Sequence, residues 1–76
     1  MADATLDARG LNCPLPILKA RKALKDMPRE ATLEVLATDP GSVEDFQAFC
    51  RVTGEELVER SSDAGVYRFV IRHRAS

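Results

Sequence analysis

The stretch with the most chemical potential in this chain is Asn12-Cys13-Pro14-Leu15-Pro16, a cysteine followed at once by two prolines spaced i, i+2. Behind it runs a basic, amphipathic segment from Ile17 to Met27. Proline is favoured at the first helical position, where a missing N–H leaves no bond unmade. The spacing therefore predicts a helix starting at Pro14, with Cys13 as its N-cap and Pro16 still inside the first turn. A thiol at that position feels the positive end of the helix dipole, which favours thiolate over thiol. Since neither proline has an N–H, the Leu15 amide is the first-turn donor expected to face the sulfur. The expectation is a rigid, anion-favouring platform carrying one partly exposed nucleophile. A lone cysteine is ordinarily a small buried hydrophobe; the cap position between Asn12 and Pro14 argues against that role here.

The elements that must hold this stretch follow from periodicity. Thr5 to Arg9 reads as a short strand closed by Gly10. In the helix, Ile17, Ala20, Leu24 and Met27 recur at spacings of three and four, with Leu18 and Ala23 beside them, and Pro28 stops it. Ala31 to Thr38 alternates as a strand, with Leu33, Val35 and Ala37 on one face. Asp39-Pro40-Gly41 is a turn, and Ser42 is the expected N-cap of a second helix carrying Glu44 and Asp45 in its first turn. Val43, Phe46, Phe49 and Cys50 lie on or beside one face of that helix, and Gly54 ends it. Glu55 to Ser61 and Val66 to Arg72 form a hairpin around Ser62-Asp63-Ala64-Gly65.

The order is β-α-β-α-β-β, without repeats or a linker. Strand-helix-strand connections favour parallel neighbours with both helices on one face. The fold class is α/β, a two-layer sandwich with a mixed four-stranded sheet, and residues 1–76 form a single domain. In open α/β sheets, chemistry gathers beyond the carboxyl ends of parallel strands. Asp39 then lies at the same end as Cys13, where it could shape a docking surface, although forming the turn is its plainer role. Cys50 sits about 12 Å along the second helix from its start, at 1.5 Å per residue. That leaves it too far from Cys13 for a disulfide, and core packing beside Phe46 and Phe49 is its expected role.

Composition narrows the function classes. The 76 residues carry a net charge of −1 and 5% aromatics, which disfavours direct nucleic-acid binding. Charge is nonetheless uneven. Lys19, Arg21, Lys22, Lys25 and Arg29 crowd the first helix and its exit, Glu30 to Glu59 is mainly acidic, and Arg68, Arg72 and Arg74 restore a basic end. Such a dipolar surface suits docking to another protein. No apolar run is long enough for a membrane span and no signal peptide opens the sequence, so a cytoplasmic protein with reduced thiols is expected. With one histidine and two cysteines, neither a metal site nor a cofactor is expected.

These residues carry a resemblance. Leu6-Asp7-Ala8 with Gly10-Leu11, then Cys13-Pro14-Leu15-Pro16, Arg21-Lys22, Thr38-Asp39-Pro40, Asp45, Phe49-Cys50, Glu56-Leu57 and the strand Tyr67 to Arg72 resemble the TusA, or SirA-like, family of small sulfur carriers. The match extends from Leu6 to Arg72, and Cys13 to Pro16 fills the family's Cys-Pro-x-Pro box. The resemblance implies the same two-layer fold and a sulfurtransferase-like relay. Cys13 would accept a sulfane sulfur as a persulfide from a cysteine desulfurase or other donor. It would then hand that sulfur to an acceptor protein of the TusD/DsrE-like kind. Pro14 and Pro16 would hold the loop. The pathway served would be tRNA thiolation, molybdenum-cofactor supply or sulfur oxidation.

Persulfide transfer is the exchange chemistry of thiols and disulfides, and a lowered Cys13 pKa would assist it in both directions. Lys19, Arg21, Lys22 and Lys25 become candidates for docking acidic partner surfaces. Family members often carry an acidic pair where this chain has Thr38-Asp39, so no catalytic role passes to that position, nor to Cys50. A transient carrier needs no tight self-association, and a monomer is expected. The competing class is a regulatory interaction module that binds without moving sulfur. A thiol–disulfide oxidoreductase fits less well, because no Cys-x-x-Cys pair is present.

Overall fold

The computed structural model describes residues 2–74. Strands β1 (Ala4–Ala8), β2 (Thr32–Ala37), β3 (Glu56–Asp63) and β4 (Val66–Arg72) and helices α1 (Leu15–Lys25) and α2 (Ser42–Thr53) follow in the order β1-α1-β2-α2-β3-β4. The sheet order is β1-β2-β4-β3. β1 runs parallel to β2, from Ala4 opposite Leu33 to Ala8 opposite Ala37. β4 is antiparallel to both β2 and β3, so the sheet is mixed. Helix α1 packs on β1 and β2 and α2 on β3 and β4, with the helices touching each other.

The core lies between helices and sheet. Along β2, alternation places Leu33, Val35 and Ala37 inside and leaves Thr32, Glu34 and Leu36 half-buried. Ala8, Ala20, Leu24, Phe46, Cys50, Phe69 and Ile71 complete the cluster. The Phe46 and Phe69 rings stack 4.7 Å apart, fixing α2 on β4, and Phe49 meets Phe46 edge-on at 6.4 Å. Each fully buried large side chain here contributes on the order of 1.5–3 kcal/mol. On the outer face Arg68 pairs with Glu34 and Glu59, and Thr5 donates to Glu34 at 3.1 Å. Val70 points to this face, opposite Glu34 and Glu59, yet is buried.

Element ends shift from the sequence expectation for local reasons. β1 stops at Ala8 because Asp7 accepts hydrogen bonds from the Arg9 backbone at 3.1 Å and from its side chain at 2.8 Å. The Leu11 N–H closes a turn onto Ala8 at 3.3 Å, with Gly10 at φ 81°. Helix α1 starts at Leu15, not Pro14. Pro14 is the N-cap, its carbonyl accepting the Leu18 N–H at 3.1 Å. Ser42 is likewise the first helical residue of α2, and Gly41 holds the cap position.

At the far end of α2, Gly54 at φ 87° returns its N–H to the Cys50 carbonyl. The hairpin is tighter than expected. Asp63 pairs with Val66, leaving Ala64 (φ 51°) and Gly65 (φ 81°) as a two-residue loop of the kind that matches strand twist. The first and last described segments meet at one end of the sheet, where the Asp3 N–H donates to the Thr32 carbonyl and the His73 N–H to that of Ala31. Also at that end, the buried Glu55 carboxylate contacts His73 Nδ1 at 2.8 Å and accepts the Arg74 N–H at 2.7 Å.

Candidate functional site

Because β1 and β2 run parallel, the loop from Arg9 to Pro14 and the turn from Thr38 to Gly41 emerge side by side. Two hydrogen bonds join them. The Gly10 N–H donates to Thr38 Oγ1 at 2.8 Å, and the Cys13 N–H donates to Asp39 Oδ2 at 2.7 Å. Asp39 Oδ1 accepts the Gly41 N–H at 3.1 Å, so one carboxylate both shapes the turn before α2 and pins the cysteine backbone. Cys13 is exposed, and its peptide bond to Pro14 is cis.

This geometry corrects three expectations. Cys13 stands one residue outside the helix cap, since Pro14 takes that position. The Leu15 N–H does not face the sulfur but donates to the Asn12 carbonyl at 2.8 Å. Finally, the thiol is pushed above its ordinary range, not below it. The largest cause is a hydrogen bond with the Asp45 carboxylate, followed by partial desolvation and the negative charges of Asp45 and Asp39. No basic side chain acts on it in the opposite sense. A helix terminus offers about half a unit charge, whereas the two carboxylates each bring a full one. The two carboxylates thus favour the thiol over the thiolate.

Around it lies a groove of about 330 Å³ between the helices, lined by Cys13, Pro14, Ile17, Asp45, Phe49 and Val52 among others. Its α2 wall is a stripe at helical spacing, Asp45-Ala48-Phe49-Val52, ending in a Val52 that is 80% exposed. The stripe was visible in the sequence as an i, i+3, i+4, i+7 pattern, but the polar residue heading it reads locally as a dipole partner. Leu15 and Leu18 add exposed apolar surface on α1.

The other residues singled out separate from the sulfur in different ways. Pro14 lines the groove, while Pro16, at the second helical position, is fully buried and anchors the first turn from below. Lys19, Arg21, Lys22 and Lys25 are exposed and form no ion pair among the described residues. Arg21 and Lys25 line a second depression with Phe49, Glu55 and His73. Cys50 is a free thiol inside the core, which burial pushes up to about 11.

Among the described residues no group of three His, Cys, Asp or Glu side chains could hold a metal ion, and no helix is long and apolar enough to cross a membrane. Comparison with known proteins gives a consistent result. A family model described as Sulfurtransferase TusA matches residues 4–73. The chain is 54% identical over 70 residues to the sulfur carrier protein TusA of Allochromatium vinosum, covering 92% of each. It is 51% identical over 74 residues to a putative sulfur carrier protein of Neisseria meningitidis serogroup A, covering 97% of this chain and all of that one. A crystal structure of a SirA-like protein from Desulfitobacterium hafniense superposes with a TM-score of 0.82 at 29% identity, covering 93% of this chain and 97% of that one.

Proposed function

This chain belongs to the TusA family of sulfur carriers, and from that premise we propose that the sulfur travels as a persulfide on Cys13. The observation that carries the assignment is the contrast in access: among the described residues Cys13 is the exposed thiol and Cys50 the buried one. In the loading step the Cys13 sulfur bonds to the terminal sulfur of a donor persulfide and the donor's S–S bond breaks. The donor cysteine then leaves with the proton that Cys13 gave up. One sulfane sulfur moves and nothing is oxidised or reduced overall, so neither a metal nor a redox cofactor is called upon. Unloading is the same exchange run onto an acceptor.

A carrier works between a donor and an acceptor. We assign the donor to the cysteine desulfurase class and the acceptor to TusD/DsrE-like proteins, met by a monomer in a reducing cytoplasm where both thiols stay free. The exposed bases Lys19, Arg21, Lys22 and Lys25 support an electrostatically steered, short-lived encounter with acidic patches on these proteins. tRNA thiolation, molybdenum-cofactor supply and sulfur oxidation all draw on such a relay.

Mass spectrometry after incubation with a cysteine desulfurase and cysteine tests the assignment. One added sulfur, mapped to Cys13 and absent from Cys13→Ser, is the expected result. A wild-type chain that gains no sulfur acts instead as a regulatory interaction module.

A further inference from the structure

The exposed Cys13 shares its groove with the Asp45 carboxylate. Asp45 forms no ion pair among the described residues. The Asp39 carboxylate, on the neighbouring turn, is committed to the N–H groups of Cys13 and Gly41 and likewise meets no cation there. Asp45 thus brings an unpaired negative charge into an otherwise apolar groove, and Asp39 adds a second beside the Cys13 backbone. We propose that Asp45 selects the partners of Cys13: its carboxylate takes the basic side chain that stands beside the reacting sulfur of a partner protein, and so seats that sulfur against Cys13. The proposal rests on Cys13 being the carrier atom, and makes Asp45 a positioning and partner-selecting residue.

The chemistry is self-consistent. When an incoming ammonium or guanidinium pairs with Asp45, the negative charge that opposes ionisation of Cys13 is neutralised. The Cys13 proton passes to the departing donor thiolate as the new S–S bond forms. A partner with a carboxylate at that point meets like-charge repulsion. The groups facing the sulfur are Asp39 from the β2–α2 turn and Asp45 from α2, while the bases of α1 do not act on it. The cation therefore has to be supplied from outside the molecule.

Small disulfides of opposite charge test this without a partner protein. Cystamine (cationic) and 3,3′-dithiodipropionate (anionic) each form a mixed disulfide with Cys13 of the full chain, followed by mass and mapped by peptide digestion. Wild type is expected to prefer cystamine. In Asp45→Asn the preference falls about tenfold at low salt, the effect of one carboxylate roughly 6 Å away on opposite unit charges. It returns in Asp45→Glu and fades for wild type in high salt.

An unchanged cystamine preference in Asp45→Asn overturns the proposal. Circular dichroism checks the fold, and Asp45→Ser, which also suits a first helical turn, replaces Asp45→Asn should the latter unfold. Failure of the carrier assignment is read separately, as wild type taking up no sulfur from a desulfurase whatever its charge preference.

Discussion

The two cysteines carry the same side chain and both are held as thiols, but by different means. Cys50 is 6% exposed, and removal from water pushes it up to about 11. Cys13 is exposed, and its thiol is stabilised chiefly by a hydrogen-bonded carboxylate. A hold made by burial yields only when the core opens. A hold made by a charge yields to an opposite charge brought to the surface. The first suits a structural residue and the second an exposed group open to an approaching charge.

The largest effect expected from breaking this comparison is at Cys13 itself. Cys13→Ser should abolish sulfur uptake from a desulfurase, read by intact mass, while Cys50→Ala should leave uptake unchanged. The next sharpens the burial side. Keeping the Cys50 thiol neutral stabilises the fold fully below pH 9, where the unfolded thiol begins to ionise, and that contribution is lost as pH rises toward 11. Urea denaturation of wild type and Cys50→Ala across this window should show the wild-type advantage shrinking by roughly 2 kcal/mol with increasing pH.

Asp39→Ala tests the loop that carries Cys13. It strips a partner from two backbone N–H groups, and should lower stability by about 1–2 kcal/mol in the same assay. The smallest effect concerns approach, not chemistry. Lys19→Glu with Lys22→Glu should slow transfer from a desulfurase a few-fold at low salt and leave it near wild type at high salt, because exposed charges act mainly on encounter rates. Equal transfer by the double variant at low salt would remove α1 from the docking surface.

Much of the architecture was legible in one dimension because it depends on near neighbours. The limits of β4, the glycine stop of α2 and the buried Leu33-Val35-Ala37 face follow from alternation and from the chemistry of turns. The acid–base state of Cys13 was not legible. Locally the sulfur has only a helix terminus and two prolines beside it, which argues for a thiolate. Asp45 comes from the next helix and lines the same groove, and its full charge outweighs the partial charge of a helix end. Asp39 was half legible. Its Asx-type contact with Gly41 is local, but the bond to the Cys13 N–H exists only because β1 and β2 align their exits. Pro16 illustrates the reverse, a motif residue whose ring is covered by the core.

The meeting of residues 3 and 73 with the start of β2 has a practical side. Both lie at the pole away from the loop bearing Cys13, since β2 runs from Thr32 there to Ala37 beside the reactive end. A bead, dye or neighbouring module hooked on near residue 2 or residue 74 would leave the sulfur facing outward. The domain can thus be presented on a scaffold through residue 2 or residue 74 without reorienting the face that bears Cys13.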